Sequence, residues 1–231
     1  MSDPTQKAVS LFWTKRADQI SALADGGAAG GAARAGGHMN GVRDLVRDIF
    51  IEAGMPEESI VYEPFLPGFY RARKRWDMAV AYKDVLVAAL EFKSQVGSVG
   101  KNINNRLEEV LGSGADTWAA QTRNSAFGEI DPWLGYVFVL REDEETEALN
   151  RSVNALFPTD QMFAGLSYCQ RYQKMVQRLM DDNIYQGAWF ITTKIDASNR
   201  VSYDEPLDVA TGRAFRAAVR NRVDFVRSLL D

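Results

Sequence analysis

Hydrophobic positions along the chain follow two rhythms, and each predicts its own kind of element. Val42, Leu45, Val46, Ile49, Phe50 and Ala53 recur at i, i+3, i+4, i+7, i+8 and i+11. That is one buried stripe of an α-helix over 40–53, ended by Gly54 and Pro56. A first helix over 5–24 carries Val9, Phe12, Trp13, Ile20 and Leu23 on its apolar side, after an Asp3–Pro4 start. Runs rich in Val, Tyr and Phe then predict strands at 59–63, 76–82 and 85–93. Helical spacing returns over 103–122, with Gly112 and Gly114 breaking it, and again over 161–180, where Phe163, Leu166, Met175 and Leu179 read as core. Further strands fall at 134–141 and 187–195, and a last helix covers 207–230. Its Arg213, Arg216, Arg220 and Arg227 oppose Phe215, Val219, Val223, Val226 and Leu230, as on an amphipathic helix with a solvated arginine face.

A strand meander followed by helix-linked strands implies an α/β fold with a central mixed sheet flanked by helices. The expectation is a single domain over 1–231, with 1–38 as an N-terminal helix plus a Gly/Ala-rich loop. The stretch 25–37 is almost wholly Gly and Ala apart from Arg34. It reads either as a flexible linker or as backbone able to close on a ligand.

Composition narrows the chemistry. Cys169 is the single cysteine, so a disulfide framework and a Cys-rich zinc site are excluded, and it reads as a small buried hydrophobe. His38 is the single histidine, so catalysis must rest on carboxylates, lysine, arginine or serine. No apolar run is long enough for a membrane helix, and residues 1–10 do not read as a signal peptide. Lys and Arg number 27 against 31 Asp and Glu, a net charge of −4, which at first argues against nucleic acid. Five of those acids sit in the run 142–147, so the rest of the chain carries 26 acids against 27 bases. Arg outnumbers Lys, 19 to 8, as suits bidentate contacts to phosphate and guanine.

The stretch from Arg75 to Gln95 carries the chemistry. Asp77 opens one predicted strand, and Glu91 and Lys93 close the next, sharing a face of an otherwise apolar strand. Such charges cost free energy unless they are paired or bind something. A two-residue turn at Lys83 and Asp84 would set Asp77 opposite Leu90, on the wrong face. A three-residue loop, or an equivalent bulge, sets Asp77 opposite Glu91, and this is the register expected. Two converging carboxylates suit Mg²⁺, which lowers the pKa of a bound water and offsets charge on a phosphoryl oxygen. A nearby lysine can orient the attacking water or stabilise the phosphorane. Together these parts describe metal-assisted phosphodiester hydrolysis. The alternative is a surface Asp and an edge-strand Glu–Lys pair.

Two polar clusters flank these residues. Arg71-Ala-Arg-Lys-Arg75 is either a solvated charge run in a loop or a set of phosphate contacts, with Arg71, Arg73, Lys74 and Arg75 as candidates. Gln95, Lys101, Asn102, Asn104, Asn105 and Arg106 are residue types that read adenine and guanine edges. Asn104 or Asn105 could instead cap the following helix, with Glu108 completing the pattern. Gln121, Arg123 and Asn124 form a thinner third cluster.

Arg75-Trp-Asp77, the strand ending Glu-Phe-Lys-Ser-Gln95, and Val96-Gly-Ser resemble the XhoI-type restriction endonucleases, within the PD-(D/E)XK nuclease fold. The likeness continues through Asn104-Asn-Arg-Leu-Glu-Glu109 and Gly112-Ser-Gly-Ala-Asp-Thr-Trp118, and covers about a fifth of the chain. A weaker echo lies at Gly36-Gly-His-Met-Asn-Gly41, where the family pattern leads one to expect Asp at Asn40. The resemblance implies a homodimeric type II restriction endonuclease, cytoplasmic in a bacterium, that cuts palindromic double-stranded DNA using Mg²⁺. CTCGAG is the family's usual site. By motif, Asp77 and Glu91 would bind the metal and Lys93 would be the catalytic lysine. Glu63 is the first candidate for a further acid, and Asp48 and Glu52 read as solvated helix charges. A cognate DNA methyltransferase is the functional partner expected of such a system. The alternatives are a repair or mobile-element nuclease on the same fold, and a non-catalytic DNA-binding protein.

Overall fold

The computed structural model describes residues 3–24, 37–149 and 155–231. The expectation for the Gly/Ala-rich segment falls on 25–36, outside the described residues. Six strands form one mixed sheet in the order β1 (Ile60–Tyr62), β4 (Met78–Tyr82), β5 (Val85–Gln95), β6 (Trp133–Arg141), β7 (Gly187–Ile195) and β8 (Val201–Asp204). β5, β6 and β7 run parallel, and the pairs toward either edge are antiparallel. The parallel centre is buried on both faces, which is why β6 reads as a continuous apolar run rather than an alternating one.

Helices cover both faces. On one face α1 (Pro4–Ala24), α2 (Asn40–Glu52) and α6 (Gly212–Leu230) pack Phe12, Val46, Phe50, Phe215 and Val219 against Val80, Leu90 and Val137 of the sheet. On the other, α3 (Val99–Asn124) and α5 (Tyr168–Asp181) pack Ile103, Tyr172 and Leu179 against Tyr136, Phe138 and Phe190. The expected α/β architecture is therefore present, with the helices on both faces of a mixed sheet.

Several local expectations need correction. A second, two-stranded sheet pairs β2 (Phe65–Pro67) with β3 (Arg73–Arg75). The basic cluster thus ends in a strand rather than a loop. Its charges hid the strand signal, because Arg, Lys and Arg show no apolar alternation. α3 is unbroken over 26 residues. Gly114 does not end it: a Cβ there would lie 2.5 Å from Ile184, so the glycine permits close packing. α5 begins only at Tyr168, because Gly165 takes φ +69° and Ser167 forms a capping box with Gln170. Phe163 and Leu166 accordingly lie outside the helix and are only half-buried. β8 was not foreseen, and Ile20 of α1 is exposed. In the short helix α4 (Glu144–Glu147), Glu145 accepts the Val99 N–H at 2.7 Å. Part of the acidic run therefore satisfies the amino end of α3.

Candidate active site

The β4–β5 hairpin sets the geometry. Lys83 and Asp84 both take positive φ, 47° and 63°, in a two-residue turn that pairs Tyr82 with Val85. That turn alone would put Asp77 opposite Leu90. A bulge between Val80 and Ala81 adds Val87 to β5: Ala81 pairs with Leu86, Val80 with Ala88 and Met78 with Leu90. One residue further, Asp77 lies across from Glu91. The bulge, rather than an odd loop, supplies the expected register.

The side chains then converge. Asp77 Oδ2 accepts the Phe92 N–H at 2.7 Å, tying its carboxylate to β5. Lys93 Nζ lies 2.9 Å from Glu91 Oε1 and 4.0 Å from Asp77 Oδ2, between the two carboxylates. Lys74 reaches the same Glu91 oxygen at 3.1 Å while its ammonium sits 4.1 Å from the centre of the Trp76 ring. The Tyr185 hydroxyl donates to Glu91 Oε2 at 3.3 Å. Glu91 is thus buried yet fully partnered, which meets the cost of placing a carboxylate in an apolar strand.

The electrostatics separate the two acids. Burial works against the Glu91 carboxylate, but Lys93 and Lys74 outweigh it and hold its pKa below the usual range. Asp77 goes the other way: burial pushes its carboxyl up, and the Lys93 charge and Phe92 N–H only partly offset this. Burial disfavours the Lys93 ammonium, yet Glu91 and Asp77 prevail and raise its pKa, so it stays a cation. Four charges of balanced sign therefore share one site.

Among the described residues, no three His, Cys, Asp or Glu side chains converge on a point as a metal cage. Asp77 and Glu91 form a two-carboxylate set, with a lysine ammonium standing between them where a cation is favoured. A hard divalent ion that keeps most of its waters needs only one or two carboxylates, so this donor set fits one. Asp77 and Glu91 would hold it. When bound, such an ion activates a water and offsets charge on a phosphoryl oxygen.

The other candidates distribute unevenly. Glu63 takes φ +52°, pairs with Arg75, and lines a cleft of about 360 Å³ together with Asp77, Asn40, Arg43 and Tyr62. It does not complete a three-acid set. Asn40 therefore reaches the site even though the expected Asp is missing there. Asp48 pairs with its neighbour Arg47, and Glu52 with Arg216, as surface charges do.

Lys74 is turned inward to Glu91 rather than outward. Arg71 and Arg73 are exposed, with Arg71 held 2.9 Å from the buried Asp116. Arg73 lies over the Phe65 ring. Gln95 is buried and bonded to Gly97 and Arg106, so it supports the start of α3 instead of facing outward. Arg106 also pairs with Glu109, and Asn102 bonds the Ser98 carbonyl. Lys101, Asn104 and Asn105 are exposed on α3. Neither Asn caps that helix, whose start lies five residues or more upstream at Val99. Gln121 of the third cluster is buried and bonds Phe127 and Gly128. Cys169 is buried, and burial raises its thiol pKa, as a packing residue requires.

Sequence patterns missed three contributors. Tyr185 is 94 positions from Glu91, and no local signal joins them. Arg43 looks like any helix-surface arginine, although it follows Asn40 by one turn. Asp116 stood within a motif of the resemblance without an assigned task. Buried under 68–71, it accepts the Phe69 and Tyr70 N–H groups at 2.9 and 2.7 Å and pairs with Arg71. Asp116→Ala leaves two backbone donors short and frees Arg71. Equilibrium urea unfolding should show a loss of about 1–3 kcal/mol, and limited proteolysis should find the 68–71 segment newly accessible.

Comparison with known proteins agrees with the geometry. The family model described as "Restriction endonuclease XhoI" matches residues 18–205. Type II restriction enzyme BstVI of Geobacillus stearothermophilus is 30% identical over 184 residues, covering 76% of this chain and 82% of the relative. Type II restriction enzyme XhoI of Xanthomonas vasicola is 31% identical over 180 residues, covering 74% and 72%. Type II restriction enzyme AbrI of Azospirillum brasilense is 41% identical over 114 residues, covering 47% and 51%. No solved structure matches. Among the described residues no helix is long and apolar enough to cross a membrane. With the family model spanning most of the chain and an Asp77–Glu91–Lys93 hairpin at its centre, the protein belongs to the XhoI restriction endonuclease family.

Proposed function

We propose that the chain is a type II restriction endonuclease that hydrolyses phosphodiester bonds of double-stranded DNA at a palindromic site, CTCGAG or a close relative, using Mg²⁺. The observation that carries this reading is the bulge-corrected register, which places Asp77 across from Glu91 with the Lys93 ammonium between them. Asp77 and Glu91 hold Mg²⁺, and Lys93 faces the phosphate. Water adds to phosphorus as the bond to one ester oxygen breaks, leaving a phosphate monoester on one end and a hydroxyl on the other. Negative charge grows on the phosphoryl oxygens during that step. A fixed, desolvated ammonium opposes it at no reorganisation cost.

Homodimerisation accompanies the reading, because a twofold pair of sites matches a palindrome and delivers one site to each strand. Arg71, Arg73, Arg75, Lys101, Asn104 and Asn105 are the exposed members of the two clusters that flank the hairpin and the candidates for DNA contact. Glu63 is a candidate only for an acid beside Asp77. A cognate methyltransferase protects the host's own sites in such a system.

Digestion of a plasmid of known sequence tests this. Discrete fragments with Mg²⁺ and intact plasmid with EDTA are expected. A smear, random nicking or metal-independent cutting contradicts the site-specific reading.

A further inference from the structure

We infer that Arg43 is a phosphate-binding residue of the active cleft, fixed on α2 to clamp the DNA strand that Asp77 faces. The inference rests on the nuclease reading and adds to it a residue outside the hairpin motif. Val42, Val46, Ile49 and Phe50 bury one side of α2 against the sheet, so the helix is a rigid mount. Asn40 and Arg43, three residues apart, lie on a common side. Both line the cleft that also holds Asp77 and Glu63. Its volume is about 360 Å³. That is room for a hydrated phosphodiester beside the carboxylates.

The state of the guanidinium points to its ligand. Arg43 lies over the Tyr62 ring, 4.5 Å from its centre. Its Nε is buried and has no hydrogen-bond partner among the described residues. Neighbouring cations are engaged: Lys93 and Lys74 with Glu91, Arg75 with Glu63, and Arg71 with Asp116. Among the described residues Arg43 is the one cation that lines the cleft, and no carboxylate pairs with it.

Tyr62 orients the planar fork and lowers its freedom before any ligand arrives. An arginine without a carboxylate partner is open to a charged acceptor, and a phosphate oxygen in the cleft supplies one. Glu63 and Asp77 repel an approaching phosphate, and a fixed arginine in the same cleft offsets that repulsion. A bidentate oxygen acceptor carrying negative charge fits all of these features, and on a nuclease it is the DNA backbone.

The test is the salt dependence of binding. Fluorescence anisotropy with a labelled CTCGAG duplex, Ca²⁺ replacing Mg²⁺ to leave the DNA uncut, gives log K against log salt for wild type, R43A and R43K. Each lost phosphate contact lowers the slope by about 0.9. R43A should therefore show a slope smaller by about 0.9 and binding weaker by about ten- to a hundredfold at low salt. R43K should restore most of the slope, because the charge returns without the planar fork, while leaving cleavage below wild type. It also serves as the folded comparison if R43A melts early. A wild-type slope in R43A overturns the inference while leaving the nuclease reading intact. Failure of wild type to bind the duplex overturns both.

Discussion

Replacing Asp77 with Asn lowers the rate of Mg²⁺-dependent DNA cleavage by at least about a thousandfold, equivalent to roughly 4 kcal/mol of transition-state stabilisation. The substitution suits the question because it changes little else. The Asn carbonyl can still accept the Phe92 N–H, so the tie between β4 and β5 survives. What disappears is the negative charge shared with Lys93 and needed by a metal. Glu91→Gln and Lys93→Ala abolish cleavage as well, but each also disturbs the buried network. Without the Glu91 charge, Lys74 and Lys93 are left facing each other across an uncharged amide. Breaking a buried pair in this way costs about 3–5 kcal/mol of stability. In all three variants DNA binding should largely remain, since the proposed backbone contacts, Arg71, Arg73, Lys101 and Arg43, lie outside the substituted positions. Single-turnover cleavage and gel-shift titration measure the two quantities separately. Cleavage retained in all three variants would refute the assignment.

A loss of stability as large is expected from Phe138→Ala. Phe138 is fully buried in the middle of β6, the strand on which the parallel core is built. Its ring stacks on Tyr172 at 4.9 Å, Tyr136 at 5.8 Å and Phe190 at 5.9 Å. These neighbours come from β6 itself, β7 and α5, so no single element can move in to fill the gap. Truncation removes about 3–5 kcal/mol, a large share of the 5–15 kcal/mol that holds a typical domain. Urea unfolding followed by tryptophan fluorescence reads the change, and a loss under about 1 kcal/mol would contradict the packing described. Phe138 also pairs with Lys93 in the β5–β6 ladder. Cleavage by the surviving folded fraction should therefore fall as well, through misplacement of the lysine.

Strong periodicity was legible from the sequence: α2, β5, β6 and β7 lie within two residues of where the apolar pattern puts them. The Asp77–Glu91–Lys93 hairpin was legible for a different reason. Charged residues in an apolar strand demand a partner, and only one register supplies it. The device was less legible than the outcome, because a bulge at Val80 and Ala81 leaves no mark among Val, Ala and Leu. β3 was hidden since its three residues are Arg, Lys and Arg, and its pairing with β2 is a tertiary choice. Gly112 and Gly114 suggested a break in α3, but close packing on Ile184 overrode intrinsic propensity. The DNA candidates were the least legible. Residue type marks Gln95 and Lys74 as contacts, whereas burial commits one to Arg106 and the other to Glu91.

End mapping of the products is the most direct test of the central claim. Linear DNA of known sequence is digested with Mg²⁺ by wild type and by Asp77→Asn in parallel, and every fragment end is sequenced. The account predicts that wild-type ends fall at one repeated palindromic sequence, cut at symmetric positions on both strands, with the variant leaving the DNA intact. Ends scattered without a common sequence, or identical ends from the Asp77→Asn protein, would contradict it.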